Sequence, residues 1–98
     1  MVVLILERVP PRLRGDLSRW MIEPKAGIFL GRMTARLRDR IWEKAVKGCK
    51  DGACLQAWNS PTEQGFVVRT HGDTSRSMVD FEGLRLVAIP RLRQRPKA

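Results

Sequence analysis

The chain opens on five consecutive apolar residues, Val2-Val3-Leu4-Ile5-Leu6, before Glu7 and Arg8 break the run. A strand that is apolar on both of its alternating faces belongs in the middle of a sheet covered on both sides. Pro10-Pro11 then starts a helix, because proline at the first helical position removes no hydrogen bond. Leu13, Leu17, Trp20 and Met21 recur at helical spacing, with Arg12, Asp16, Arg19 and Glu23 largely off that face, and Pro24 and Gly27 close the helix. Ile28-Phe29-Leu30, bounded by Gly27 and Gly31, reads as a second strand. The pattern leaves open whether residues 25–31 form one strand or a tight pair.

From Thr34, an N-cap residue, a longer helix follows with Leu37, Ile41, Ala45 and Cys49 on its apolar face. Arg36, Arg40, Lys44 and Lys47 line another face as a basic stripe, which is either a solvated surface or a binding surface. Residues 53–58 and 66–70 read as two strands joined through the turn-rich segment 59–65, a hairpin. The polar stretch 71–83 reads as a long loop, and Leu84 to Ile89 as a last strand. This order predicts an α+β, ferredoxin-like sandwich with two helices on one face of a mainly antiparallel sheet. Residues 1–90 form the domain, and the basic tail 91–98 is expected to stay disordered unless bound.

Length changes the picture in one respect. A chain of 98 residues makes one compact domain, and at this size only roughly 60 to 65% of the unfolded surface is buried, so self-association into a homodimer would add useful burial. Charge changes it more. Nineteen Lys and Arg against ten Asp and Glu give a formal net charge of +9, and fourteen of the nineteen are arginine, the residue suited to bidentate phosphate contact. Nucleic acid is therefore the leading partner class. Cys49 and Cys54 lack the further Cys or His residues of a zinc site and read as reduced core or loop thiols. Met1 leads directly into a strand and no apolar run spans a bilayer, so a cytoplasmic protein with no membrane partner is expected.

The residues that could carry chemistry are few. GxSxG, HExxH, Walker-type loops and repeated CxxC are all absent from the sequence. His71, the sole histidine, reads as a strand-end residue, and Trp20, Trp42 and Trp58 as core aromatics in preference to base-stacking platforms. Glu7 is the candidate catalytic residue and metal ligand: it ends a buried strand, and a twofold dimer would bring a second copy near it. Against this stand a low ligand count and the adjacent Arg8, while Asp80 or Glu82 would help only if the long loop folded back, so local chemistry favours a structural or ion-paired Glu7. Arg12 and Arg14, in the first turns of a helix, form a candidate phosphate clamp, with Arg76, Arg36 and Arg40 as further nucleic-acid contacts.

Taken in order, Glu7, Val9-Pro10-Pro11-Arg12-Leu13-Arg14-Gly15, Ala26-Gly27, Ile41-Trp42-Glu43, Ala57-Trp58, Thr62-Glu63, Gly65-Phe66, Val79-Asp80 and Gly83-Leu84-Arg85-Leu86-Val87 are a specific combination. On these, residues 1–89 resemble the CRISPR-associated protein Cas two of the type I-E branch, the smaller subunit of the spacer-acquisition integrase. The resemblance implies a ferredoxin-like homodimer that bridges dimers of the larger integrase subunit, Cas one, and lays duplex DNA, protospacer and CRISPR repeat, across a basic surface. Transesterification would be the partner's. It further implies that Arg12 and Arg14 clamp the DNA backbone and that Arg76 is one of an arginine pair in the long loop. Leu84, Arg85, Leu86, Val87 and Ile89 would then belong to the terminal strand that docks on the partner.

Three positions depart from that pattern. Arg8 stands where relatives carry asparagine, Ser75 replaces the first arginine of the loop pair, and the basic extension after Pro90 is longer than the family's short ending. The wider family also includes proteins described as metal-dependent nucleases with an acid at the end of the first strand, the place Glu7 holds. Two functions are thus in competition. One is a non-catalytic DNA bridge; the other is a magnesium-dependent endonuclease acting on single-stranded RNA or duplex DNA, with Mg2+ needed only in that case. An RNA-binding ferredoxin-like module ranks third, because such sheets present aromatic residues and this chain has no Tyr and three Phe.

Overall fold

The computed structural model describes residues 1–61 and 65–87, with residues 84–87 as backbone. In chain order the elements are β1 (Val2–Glu7), α1 (Pro11–Leu17), β2 (Ile22–Lys25), β3 (Ile28–Gly31), α2 (Ala35–Gly48), β4 (Ala53–Asn59), β5 (Phe66–His71) and α3 (Ser75–Val87). The strands form one antiparallel sheet in the order β2-β3-β1-β4-β5, so the chain's first strand lies at its centre. Alternation along β1 then sorts the core into two halves. Val2, Leu4 and Leu6 pack with Leu13 and Leu17 of α1, Ile41 and Ala45 of α2, Met21, Phe29, Cys49 and Cys54. Val3 and Ile5 point the other way and pack with Ile28, Leu55, Ala57 and Phe81 of α3.

The molecule is therefore α+β as expected, with α1 and α2 on one face of the sheet, but it has a further layer. A third helix covers the opposite face where a loop over 71–83 and a strand over 84–89 were expected. Phe81 is the reason: it is buried against the sheet and meets Phe66 edge-on, with ring centroids 5.4 Å apart. The helical backbone continues through Leu84, Arg85, Leu86 and Val87, overriding their strand-like alternation. Ile89 and the tail 91–98 lie outside the described residues.

The first helix is also shorter than its apolar spacing implied. Leu13, Leu17 and Met21 do share one core, but α1 ends at Leu17, and single turns with Trp20 and Met21 N–H donating to the Leu17 carbonyl carry the chain onward. The next residues pair as a hairpin, β2 with β3, with Gly27 at φ +83° in its turn and a bulge between Ile22 and Lys25 that accommodates Pro24 at the sheet edge. Residues 25–31 are thus part of a tight pair, and Trp20, expected in the core, is 40% exposed.

Other expectations match directly. Thr34 caps α2, its hydroxyl accepting from Leu37 N–H at 3.2 Å. Strands β4 and β5 pair as a hairpin, and His71 stands at the end of β5. Cys49 and Cys54 are buried and unpaired, and burial, reinforced by the neighbouring Cys49, pushes the Cys54 thiol up to about 12. Among the described residues no helix is long and apolar enough to cross a membrane.

Because Phe81 is the buried hydrophobic side chain that, among the described residues, seats α3 on the second sheet face, Phe81→Ala is expected to cost about 3–5 kcal/mol in urea unfolding. Loss of amide-exchange protection should be greatest in α3. A change under 1 kcal/mol would show that the helix does not cover that face.

Candidate nucleic-acid interface

Three connections meet where β1 leaves the sheet. Arg8 turns the chain with a left-handed backbone, φ 53°, before Pro10-Pro11, and Lys50 does the same at φ 54° between α2 and β4. Gly52 packs so tightly under this turn that a Cβ there would run into the Glu7 and Arg8 carbonyl oxygens. Gly72, after β5, lies in turn against the Gly52 carbonyl, where a Cβ would sit 2.6 Å from that oxygen. The end of β1 is consequently a fixed platform and not a free loop.

Glu7 lies on this platform with its side chain 9% exposed. Its Oε2 accepts two hydrogen bonds from Ser77, one from the backbone N–H at 2.9 Å and one from Oγ–H at 2.6 Å. The carboxylate thus satisfies a donor in the first turn of α3 that the helix itself cannot pair, and its charge suits that helix end. Its other oxygen is 3.8 Å from the Arg8 guanidinium. These surroundings do not fit a magnesium site: one oxygen holds two donors, the other faces a cation, and among the described residues no three His, Cys, Asp or Glu side chains converge. Asp80 and Glu82 lie within α3, so the folded-back loop that would have delivered them is a helix.

The arginines divide into engaged and open ones. Arg14 donates through Nε and Nη2 to Glu23 Oε2, at 3.0 and 2.7 Å, and the same oxygen accepts from Gly27 N–H at 2.8 Å. Arg14 therefore ties α1 to the β2–β3 turn, with its side chain still 41% exposed. Arg12, Arg36, Arg40 and Arg76 are exposed and make no hydrogen bond or ion pair among the described residues. The start of α1 offers less to an anion than its sequence implied, since Pro11 has no N–H and Leu13 N–H already donates to the Pro10 carbonyl at 3.1 Å. In the α2 stripe, Lys44 is paired with Asp16 at 3.8 Å, leaving Arg36 and Arg40 as its open arginines.

A second arginine cluster escaped the pattern. Arg38 of α2 lies over the Trp58 ring at 3.9 Å, and Arg69 of β5 lies 4.9 Å from Trp58 and 5.2 Å from Trp42. Arg69 Nε donates to the buried Gln56 side chain at 2.8 Å, and Gln56 donates to the Arg38 carbonyl at 3.1 Å. Asp39 accepts from both arginines, and the Arg69 bond foremost, then the Arg38 bond, holds its carboxyl below the usual range. The cluster clamps α2 onto β4 and β5. The one signal for it in the sequence was the register that sets Gln56 opposite Arg69, and this needs the strand pairing to be seen.

Residues 1–86 match the CRISPR-associated protein family Cas_Cas2CT1978. The chain belongs to this family. For a Cas2-type protein the match covers β1, the Glu7 platform and the start of α3, so Glu7, Arg12, Arg14, Arg36, Arg40 and Arg76 all lie inside the family region. Of the residues expected to dock a partner, Leu84, Arg85 and Leu86 fall within it, Val87 just beyond it, and Ile89 outside the described residues.

The interlocked loops make a paired test of the platform. Gly52→Ala should destabilise by about 1–3 kcal/mol, because backbone carbonyls cannot move aside as side chains do. Gly15→Ala, in α1 with nothing within 4 Å of its added Cβ, should instead be neutral or stabilising by roughly 0.5–1 kcal/mol. Equal unfolding midpoints for the two variants would refute the platform.

Proposed function

We propose that this Cas2-type protein is the non-catalytic bridge of a CRISPR spacer-acquisition complex of the type I-E branch. In this reading it is a ferredoxin-like homodimer that holds duplex DNA and joins dimers of the larger integrase subunit, Cas one, which performs the transesterification. The observation that carries the reading is a set of exposed arginines without acidic partners among the described residues, Arg12, Arg36, Arg40 and Arg76, on a family member of net charge +9. Such residues give up little on meeting phosphate, because no internal ion pair has to break. The strand order β2-β3-β1-β4, with α1 and α2 on one face, supports the ferredoxin-like assignment.

The competing endonuclease would need Glu7 as a metal ligand. With both of its oxygens placed against Ser77 and Arg8, the local chemistry supports the bridge instead.

Arg12 and Arg14 bear the test. Duplex affinity measured by fluorescence anisotropy over a range of salt should weaken in the Arg12→Ala, Arg14→Ala double variant, with the slope of log K against log salt falling by about 0.9 for each phosphate no longer neutralised. Arg12 is expected to contribute the larger part, since Arg14 is shared with Glu23. An unchanged slope would remove the clamp. Magnesium-dependent cutting by the purified protein that Glu7→Ala abolishes would instead establish the nuclease.

A further inference from the structure

Glu7 is a nearly buried carboxylate that a DNA bridge leaves without a task, and its contacts indicate one. Both hydrogen-bond donors of Ser77, a fully buried residue, end on the same Glu7 oxygen. The turn before it is fixed as well: Asp73 Oδ1 accepts from Ser75 N–H at 3.2 Å, and Met78 N–H donates to the Thr74 carbonyl at 2.8 Å. Arg76 stands between these two anchors, its backbone pinned on either side and its side chain exposed. Among the described residues, little else restrains this end of α3. Of the described side chains of α3, Phe81 is the buried hydrophobic one, whereas Met78 and Val79 are 37% and 70% exposed. A helix start held this weakly by packing depends on its end contacts.

We infer that Glu7 is a positioning residue for DNA binding: through Ser77 it sets the first turn of α3 and thereby aims Arg76 at the phosphodiester backbone. This rests on the bridge reading above. It requires an acceptor at position 7 rather than a metal ligand, so a neutral amide oxygen should serve. The position of Arg76 then depends on a residue 69 places earlier in the chain, one that touches no nucleic acid itself.

A double-mutant cycle on a labelled duplex tests this, read as the salt slope of affinity. Arg76→Ala and Glu7→Ala should each lower the slope by about 0.9, and adding Glu7→Ala to Arg76→Ala should lower it no further. Glu7→Gln should bind as the unmodified protein does. Additive losses, or a Glu7→Gln variant as weak as Glu7→Ala, would overturn the inference, the first by showing independent action and the second by showing that charge is what matters. Should Glu7→Ala fail to fold in thermal unfolding, Ser77→Ala replaces it in the same cycle with the same non-additivity required. Absence of duplex binding by the unmodified protein would defeat the bridge itself, a result separate from any outcome of the cycle.

Discussion

Everything in this fold depends on β1 being buried on both faces. Its even-numbered residues need the cover of α1 and α2, its odd-numbered ones need a second cover, and its neighbours β3 and β4 take up its backbone hydrogen bonds along its length. No polar side chain is tolerated until the strand runs out from under these layers. Glu7 is where that happens. The same constraint that makes the strand apolar thus places the first carboxylate at its exit, beside three converging connections and the start of α3.

That constraint also explains what could be read from the sequence. The unbroken run Val2 to Leu6 demanded cover on two sides, yet two helices on one face supply only one. The missing cover was present as Phe81, unremarkable within a polar stretch and followed by the alternating Leu84-Arg85-Leu86, which mimics a strand. What makes this stretch a helix is remote: Ser77 bonds to Glu7 across 70 positions, and Phe81 meets Phe66. Local periodicity carries no record of such contacts. By contrast, α2 has its cap, its apolar face and its length within one window, and the observed Thr34 bond matches that reading.

Charge was legible as a total and not as a distribution. Counting arginines raises an expectation of phosphate contact without saying which residues would make it: Arg14 is held by Glu23, while Arg38 and Arg69 lie on Trp58 and Trp42 and bind Asp39. Arg38 and Arg69 serve the fold, and Arg14 is shared between Glu23 and its own exposed side. Guanidinium groups over indole rings pack α2 on the sheet, and Gln56 keeps the buried end of that cluster hydrogen-bonded. Arginines left outside such clusters stay available to an outside anion. Their identity follows from who their neighbours are, which only the folded chain defines.

A homodimer, as proposed, would not alter the standing of Glu7. A twofold axis would bring two carboxylates together, but each would arrive with Oε2 accepting two bonds from its own Ser77 and with Oε1 beside its own Arg8. Opening that arrangement to a divalent cation means leaving a buried serine unsatisfied and moving a guanidinium away, in both copies at once. A carboxylate in this setting is better matched to a helix start than to a metal. The acid that a family resemblance associates with cleavage is, by its contacts in this chain, the one that keeps the second cover of the sheet in place.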